Sequence, residues 1–367
     1  MSRRGYLDWL RGIAVLIMIE AHTLDAWTRL ADRRDAVYGW AMIVGGFGAP
    51  VFLFLAGIAL AMAAQSRVRK GRSEAEAAAM ALRRGWQIFG LAFLFRLQSW
   101  LISGGTPKLT LFKVDILNVM GISMVVGALL WMLGRTRGRR AALLAVAAIA
   151  VTMLTPLVRT TPLLAPLPDV IEWYLRPDPG RGTFTLFPWA GFLLAGGVVG
   201  LWLDRAQTPA DERRVNLWLA VFGVSLAIAG YEASFLPSIY AEANFWTSSP
   251  TFFFLRLGVL MSAIPFAYFW SLTARTLLGP RWGWMSPLQD FGRASLFVYW
   301  IHVEIVYGVL TGPIHKALTL PRALLAFGSI SLLLFALVKV VETTRITKVT
   351  KEFLFSRVFR DLRGLGR

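Results

Sequence analysis

Long apolar stretches alternate along the whole chain with short polar segments that contain Gly, Pro or several Arg residues. A helix that crosses a bilayer needs about 20 mostly apolar residues. The pattern predicts an all-α, polytopic transmembrane helix bundle with about ten spans. These spans lie at residues 8–27, 38–64, 84–103, 115–133, 141–157, 184–203, 215–236, 251–275, 290–311 and 321–341. We expect one transmembrane domain over residues 1–341 and a basic cytoplasmic tail over residues 342–367.

Composition and the distribution of charge fit this prediction. Hydrophobic residues make up 56% of the 367 residues and charged residues only 16%, which excludes a disordered chain and a soluble nucleic-acid-binding protein. The net charge is +18. Of the 39 Lys and Arg residues, 25 fall in segments on the predicted side of the N-terminus and 10 in the opposite loops. The positive-inside rule therefore predicts two cytoplasmic termini and a multi-pass protein of the cytoplasmic (inner) membrane, in contact with its lipids.

Two polar stripes cross the predicted spans, and each contains a histidine. Arg11 and His22 are eleven residues apart, so they share one helical face and lie about 16 Å apart along the axis. Tyr299 and His302 share a face of the ninth span. Ionisable side chains inside spans are costly, which makes them functional candidates. The structural alternatives are an Arg11 anchor paired with Asp8, and a His22 satisfied by an interhelical hydrogen bond.

Further polar residues gather at the span ends that are predicted to lie away from the termini. Arg96 is late in the third span, Asp115 and Asn118 open the fourth, and Arg256 is early in the eighth. We expect Arg96 and Asp115 to pair, because a pair offsets the cost of burying both charges. The chain has no Cys, which excludes a disulfide and a thiolate nucleophile. No metal is expected, because two histidines without a ligand spacing are a weak metal motif.

Four segments resemble those of integral-membrane acyltransferases. They are LDWLRGIAVLIMIEAH (7–22), GGFGAPVFLFLAGIALAMA (45–63), VDILNVMGIS (114–123) and ASLFVYWIH (294–302). The resemblance extends to two related groups. One is the acyltransferase-3 family, with its Arg–ten residues–His signature, and the other is the heparan-α-glucosaminide N-acetyltransferase-like family, with its LDxxRG start. Arg11 and His22 have the spacing of that signature.

The resemblance implies an enzyme that moves an acyl group from cytoplasmic acyl-CoA to a hydroxyl or amine of an acceptor. Acetyl-CoA is the leading donor, and a saccharide of the cell envelope is the leading acceptor. By position, His22 is implied as the catalytic imidazole, acting as a general base or transient acyl carrier. Arg11 is implied as a residue that helps the donor bind.

The residues themselves add candidates for each role. Acyl transfer needs a base for the acceptor proton, which suits histidine, and a carboxylate could fix the imidazole tautomer. Arginines at the cytoplasmic ends of spans suit the nucleotide of CoA. The expected catalytic residues are therefore His22, His302, Asp25 and Asp115; the donor-binding residues are Arg11, Arg83, Arg84 and Arg293; and the acceptor-binding residues are Asn118, Arg96, Tyr299 and Arg256.

A transporter or flippase is the alternative, because it could use the same polar stripes to relay protons or a polar headgroup. The lack of an internal repeat in the sequence argues against it. A non-catalytic scaffold would have no need of polar stripes inside its spans. Turnover of acyl-CoA by the purified protein without any gradient distinguishes the enzyme from the transporter. The sequence is also compatible with a homodimer.

Overall fold

The computed structural model describes residues 4–103, 107–178, 180, 182, 184–279 and 287–364. These residues contain thirteen α-helices and four short 3-10 helices but no β-strand, which confirms the predicted all-α class. The α-helices are α1 (Gly5–Trp27), α2 (Ala36–Gly45), α3 (Gly48–Arg69), α4 (Glu74–Ser103), α5 (Ile116–Leu133), α6 (Arg137–Thr160), α7 (Asp169–Glu172), α8 (Leu186–Arg205), α9 (Pro209–Ala233), α10 (Pro250–Leu278), α11 (Pro287–Arg293), α12 (Ser295–Tyr307) and α13 (Leu320–Gly364).

Seven helical segments in the described part of the chain are long and apolar enough to cross a membrane, as a multi-pass protein requires. One of them, Ala36–Arg69, joins α2 and α3, and the others belong to α5, α6, α8, α9, α10 and α13. The 23-residue α1 and the 30-residue α4 are also long enough, but both contain several charged residues. The count of ten spans and the cytoplasmic location of both termini therefore stay predictions.

Two predicted spans are interrupted in the structure. The stretch predicted at 38–64 begins earlier and is divided between α2 and α3 at Gly46 and Phe47. The stretch predicted at 290–311 is divided into α11, α12 and the 3-10 helix Val309–Ile314. Only the 13-residue α12 in this stretch is a continuous apolar α-helix, and it is too short to cross a bilayer alone. At the other end of the chain, α13 runs on from the last predicted span into the tail as far as Gly364.

The first helix packs unusually closely against α11. A Cβ placed on Gly12 would lie 1.8 Å from the carbonyl oxygen of Leu288, and one placed on Gly292 would lie 1.9 Å from that of Asp8. Only glycine leaves room for the two backbones to touch in this way. Because α12 begins two residues after α11 ends, this contact also fixes the start of α12 beside α1.

Local sequence sets the start of α5, which borders the site described below. Asp115 is the N-cap residue, and its side chain accepts hydrogen bonds from the backbone N–H groups of Leu117 and Asn118. The side chain of Asn118 accepts in return from the N–H of Asp115, which completes a capping box. Both side chains are buried. Farther inside, α3 and α8 pack along much of their lengths at the centre of the main hydrophobic core.

Candidate active site

His22 on α1 and His302 on α12 contact each other directly. Nδ1 of His22 lies 2.9 Å from Nε2 of His302. The two rings are nearly parallel, with their centroids 5.1 Å apart. His302 is 0% exposed. The contact joins the two polar stripes that the sequence predicts, and α11 contributes by holding α12 against α1.

The hydrogen bonds around this pair define the tautomer of each neutral ring. Nδ1 of His302 lies 3.0 Å from the carbonyl oxygen of Val298, which can only accept, so this nitrogen carries the proton. Nε2 of His302 is then the acceptor, and Nδ1 of His22 donates to it. Nε2 of His22 is left as the unprotonated nitrogen of the pair. A base with its lone pair held in this way can take a proton from another molecule.

A cavity of about 320 Å³, called here the central cavity, extends from His22 to Arg11 and Arg84. Helices α1, α3, α4, α5, α8 and α12 supply most of its wall, which is largely apolar. These three are the Arg and His side chains among its described lining residues, which also include the hydroxyl of Tyr299. The cavity therefore combines two guanidinium groups, a long apolar wall and one imidazole.

A second cavity of about 450 Å³, called here the Arg96 cavity, also reaches His22. Its wall carries many ionisable groups, including Asp115 and Glu304. His22, Phe184 and Tyr299 line both cavities. His22 therefore stands where a mostly apolar space meets a mostly polar one.

Arg96 and Asp115 form the ion pair that the sequence predicts. Nη2 of Arg96 lies 3.1 Å from Oδ2 of Asp115. The neighbouring Lys113 belongs to the same wall, and its pKa is lowered by burial and by the charge of Arg96. Asn118 is used inside the protein, because it caps α5 with Asp115 and donates to the hydroxyl of Tyr174 over 3.3 Å. Burial raises the pKa of Tyr174 to about 12.

The four arginines predicted to bind the donor have different surroundings. Arg11 and Arg84 line the central cavity, and Arg11 also pairs with Asp8 over 3.3 Å, as its structural alternative predicts. The side chain of Arg83 is exposed. Arg293 reaches Asp8 at 3.8 Å and Asp290 at 3.7 Å. The geometry thus brings only two of the four to the cavity.

Asp25 lines the Arg96 cavity together with His22, but its polar contacts are with another residue. The guanidinium of Arg33 pairs with the Asp25 carboxylate at 3.3 Å and also donates to the Asp25 backbone carbonyl. The partner of Nδ1 in His22 is His302, an interhelical hydrogen bond as the structural alternative for His22 predicts, and not a carboxylate of Asp25 or Asp115. The reason is topological, because α12 lies against α1 closely enough to supply a second ring.

Two residues of the site were not selected from the sequence. The ring of Tyr307 packs edge-on against His22 with a centroid separation of 5.5 Å. Oε1 of Glu304 is buried and has no hydrogen-bond partner among the described residues. Glu304 could have been selected from the sequence, because it is an ionisable residue in a predicted span, two positions after His302. The described residues hold no group of three or more His, Asp and Glu side chains suited to a metal ion.

A family model described as the catalytic domain of heparan-alpha-glucosaminide N-acetyltransferase matches residues 3–232, well over half of the chain. The chain belongs to this family. No curated protein matches it. The matched residues include Arg11, His22 and Asp115, whereas His302 lies beyond them. Membership of an acetyltransferase family identifies the protein as a membrane acyltransferase, and it does not favour the transporter or flippase alternative.

Proposed function

We propose that the protein transfers an acyl group, acetyl in the first instance, from acyl-CoA to a hydroxyl or amine of a saccharide acceptor at the cytoplasmic membrane. The observation that carries this proposal is the position of His22 at the junction of the central cavity and the Arg96 cavity. Both cavities have volumes typical of small-molecule sites. One reactant can approach the imidazole from each side.

The central cavity suits the donor. Its two arginines, Arg11 and Arg84, can bind the phosphates of CoA, and the rise of α1 separates Arg11 from His22 by about 16 Å along the helix axis. The apolar wall between them and His22 suits the pantetheine arm and brings the thioester to the imidazole. Arg83 and Arg293 remain predictions for this role, and they are weaker candidates because neither lines the central cavity.

The Arg96 cavity suits the acceptor. Arg96, Asp115 and Glu304 offer both hydrogen-bond donors and acceptors to a polar molecule, and Tyr299 is shared with the central cavity. An acceptor hydroxyl or amine bound here can point at Nε2 of His22. Asn118 stays a prediction as a substrate contact, because its amide groups already bind Asp115 and Tyr174.

In the proposed step, one proton is transferred, and the carbon–sulfur bond of the thioester is replaced by a bond to the acceptor. Nε2 of His22 removes the proton from the acceptor as its oxygen or nitrogen attacks the thioester carbonyl carbon. The new carbon–oxygen or carbon–nitrogen bond forms, the carbon–sulfur bond breaks, and the CoA thiolate takes the proton back from His22. His302 is a positioning residue, since its Nε2 holds the proton of His22 on Nδ1 and stabilises the imidazolium by accepting from it.

The direct test replaces His22 with alanine. The expected result is that His22→Ala folds normally but loses acyl transfer from acetyl-CoA by about 10²- to 10⁴-fold, the usual contribution of a general base. His315→Ala is the matched control, because His315 contacts the carbonyl of Val306 at 3.0 Å and lines neither cavity. Turnover by His22→Ala at the rate of the unmodified protein would contradict the proposal.

A further inference from the structure

A third cavity, separate from the two that meet at His22, contains two arginines. It has a volume of about 430 Å³ and lies between the end of α6, the start of α10 and the loop that contains Asp178. Arg159 and Arg256 are its two cationic lining residues in the described part of the chain. We call it the Arg159–Arg256 cavity.

The two guanidinium groups are incompletely satisfied by the protein. Nε of Arg159 and Nε of Arg256 are both buried, and neither has a hydrogen-bond partner among the residues that the structure describes. Arg256 packs over the ring of Phe252 at 4.0 Å, which positions its guanidinium without neutralising it. By contrast, the half-buried Arg96 is paired with Asp115. Two arginines that form no ion pair with a carboxylate among the described residues, in one cavity, are the arrangement that an anion would complete.

Other groups around the cavity favour the same charge. The cavity lies at the N-terminus of the 29-residue α10, whose N-cap residue Ser249 is one of its lining residues. The helix dipole therefore adds positive potential there. The wall also carries Trp189 and Trp246, and flat aromatic rings with a few polar groups are typical of sites for small organic ligands. Asp178 is the acidic residue among the described lining residues, and it forms no ion pair with either arginine.

The cavity is next to the central cavity. Gly46 and Trp189 line both. Nη2 of Arg256 would lie 3.1 Å from a Cβ placed on Gly46, so this guanidinium reaches the wall between the two spaces. An anionic group bound here would therefore be adjacent to the central cavity, which extends to His22.

We infer that the Arg159–Arg256 cavity is a binding site for an anionic group, a phosphate or a carboxylate, carried either by a soluble saccharide or by a lipid headgroup. The two arginines can each donate two hydrogen bonds to its oxygens. Asp178 weakens this site by repulsion. The anion site itself does not rest on the proposed acyl transfer, because binding can be measured without turnover; the choice of a saccharide as one carrier of the anion rests on the proposed function.

The test measures binding of glucosamine 6-phosphate to the full-length protein in nanodiscs of phosphatidylcholine, by calorimetry at constant ionic strength. N-acetylglucosamine is the uncharged comparison ligand. The unmodified protein is expected to bind the phosphate ester in preference to the uncharged sugar. Arg256→Gln and Arg159→Gln are each expected to weaken phosphate binding about tenfold or more, and Arg256→Lys less, since it keeps the charge but not the planar fork.

Two further variants keep the test decisive. Arg322→Gln removes an exposed arginine outside the cavity and is expected to bind like the unmodified protein. Asp178→Asn removes the repelling charge and is expected to tighten binding, a result that a purely structural role for the arginines does not produce. It also keeps the inference testable if an arginine variant fails to fold.

Nanodiscs that also contain phosphatidylglycerol distinguish the two sources of the anion. Competition by this lipid, lost in Arg256→Gln, would identify a lipid headgroup as the occupant, whereas undiminished binding of the sugar phosphate would identify a soluble anionic saccharide. Either result supports the site. Equal binding of the charged and uncharged sugars in phosphatidylcholine, or full binding by both glutamine variants, would overturn it.

Discussion

Buried polar groups are treated in two different ways in this molecule. Near the end of α8, Asp204 is 1% exposed and accepts from Arg69 at 2.5 Å and from Arg137 at 3.0 Å. At the junction of the central and Arg96 cavities, by contrast, His22 is bound to a second neutral ring and has no charged partner in the described structure. The first arrangement engages both oxygens of its carboxylate, whereas the second leaves Nε2 of His22 without a hydrogen-bond partner among the described residues.

The difference distinguishes residues that hold helices together from residues that are available for a reaction. Asp204 on α8 connects α3, through Arg69, with α6, through Arg137, so its ion pairs fix three helices relative to one another. Both oxygens of this carboxylate accept from guanidinium groups, although Asp204 and Arg69 also line a cavity of about 340 Å³. The histidine pair forms no ion pair among the described residues, and His22 lines both the central cavity and the Arg96 cavity. In this protein, the number of ion pairs that a polar side chain forms is therefore a better guide to its function than the fraction of the side chain that is buried.

The largest expected effect tests the scaffold side of this comparison. Asp204→Asn leaves two partly exposed guanidinium groups without an anion, and we expect it to lower the free energy of unfolding by about 3 kcal/mol. The specific activity of the protein that remains folded should be unchanged. Thermal unfolding in detergent and acyl transfer are measured together, with the exposed Asp169→Asn as the control. If Asp204→Asn unfolds like the control, the cluster is not a scaffold.

The second test concerns the histidine side. His302→Ala removes the acceptor for Nδ1–H of His22, and we expect kcat to fall about 100-fold, or about 2.7 kcal/mol, with little change in the KM for acetyl-CoA. His302→Gln should recover part of this loss, because its amide oxygen can accept the same hydrogen bond. The comparison fails if the glutamine variant is no more active than the alanine variant, or if the loss falls on KM alone.

The third test concerns Asp115, which combines both kinds of role. Asp115→Asn keeps an N-cap side chain for α5 but removes the charge opposite Arg96, whereas Asp115→Ala removes both. We expect the alanine variant to be less stable than the asparagine variant by about 1 kcal/mol, the usual value of an N-cap. Both should bind an acceptor more weakly, which a competition assay measures. Equal unfolding temperatures for the two variants would show that capping contributes nothing.

The smallest effect is a pH dependence at the surface. Asp32 accepts from the N–H of Leu320 at 2.9 Å and from Arg29 at 2.7 Å, and these hydrogen bonds lower its pKa below the ordinary value. Its contribution to stability is therefore complete above the unfolded pKa, near 3.9, and is lost as the pH falls through the lower folded pKa. The unfolding temperature of Asp32→Ala should lie below that of the unmodified protein at neutral pH and converge with it in acid. A gap that persists in acid would contradict this assignment.

The sequence was sufficient for the fold class and for several contacts. Helical periodicity placed Arg11 and His22 on one face, and the cost of buried charge predicted the Arg96–Asp115 pair, because both arguments depend on local spacing or on simple electrostatics. The partner of His22 could not be derived in this way. The backbone contact at Gly12 and Gly292 brings α12 to α1, and such a contact between distant segments leaves no periodic signal.

The residues around Arg256 illustrate the same limit. An isolated arginine in a span could be recognised as unusual, but Arg159 resembles an ordinary residue at the end of a helix. Only the packing of α6 beside α10 shows that the two line one cavity. Breaks such as the one between α2 and α3 are also missed, since an apolar stretch looks continuous whether or not its backbone turns.

Because the central cavity and the Arg96 cavity meet at one imidazole, they have a consequence for the order in which the substrates bind and the products leave. Under the proposed assignment each reactant has its own volume, so neither has to leave before the other binds. Initial rates should then obey a sequential rate law, with reciprocal plots that intersect as both concentrations vary. An enzyme with a single shared cavity would instead have to transfer the acyl group to one of its own side chains and release CoA before the acceptor entered, and its reciprocal plots would be parallel. If the proposed assignment holds, the wall formed by His22, Phe184 and Tyr299 keeps the two reactants in separate cavities and so favours this sequential order.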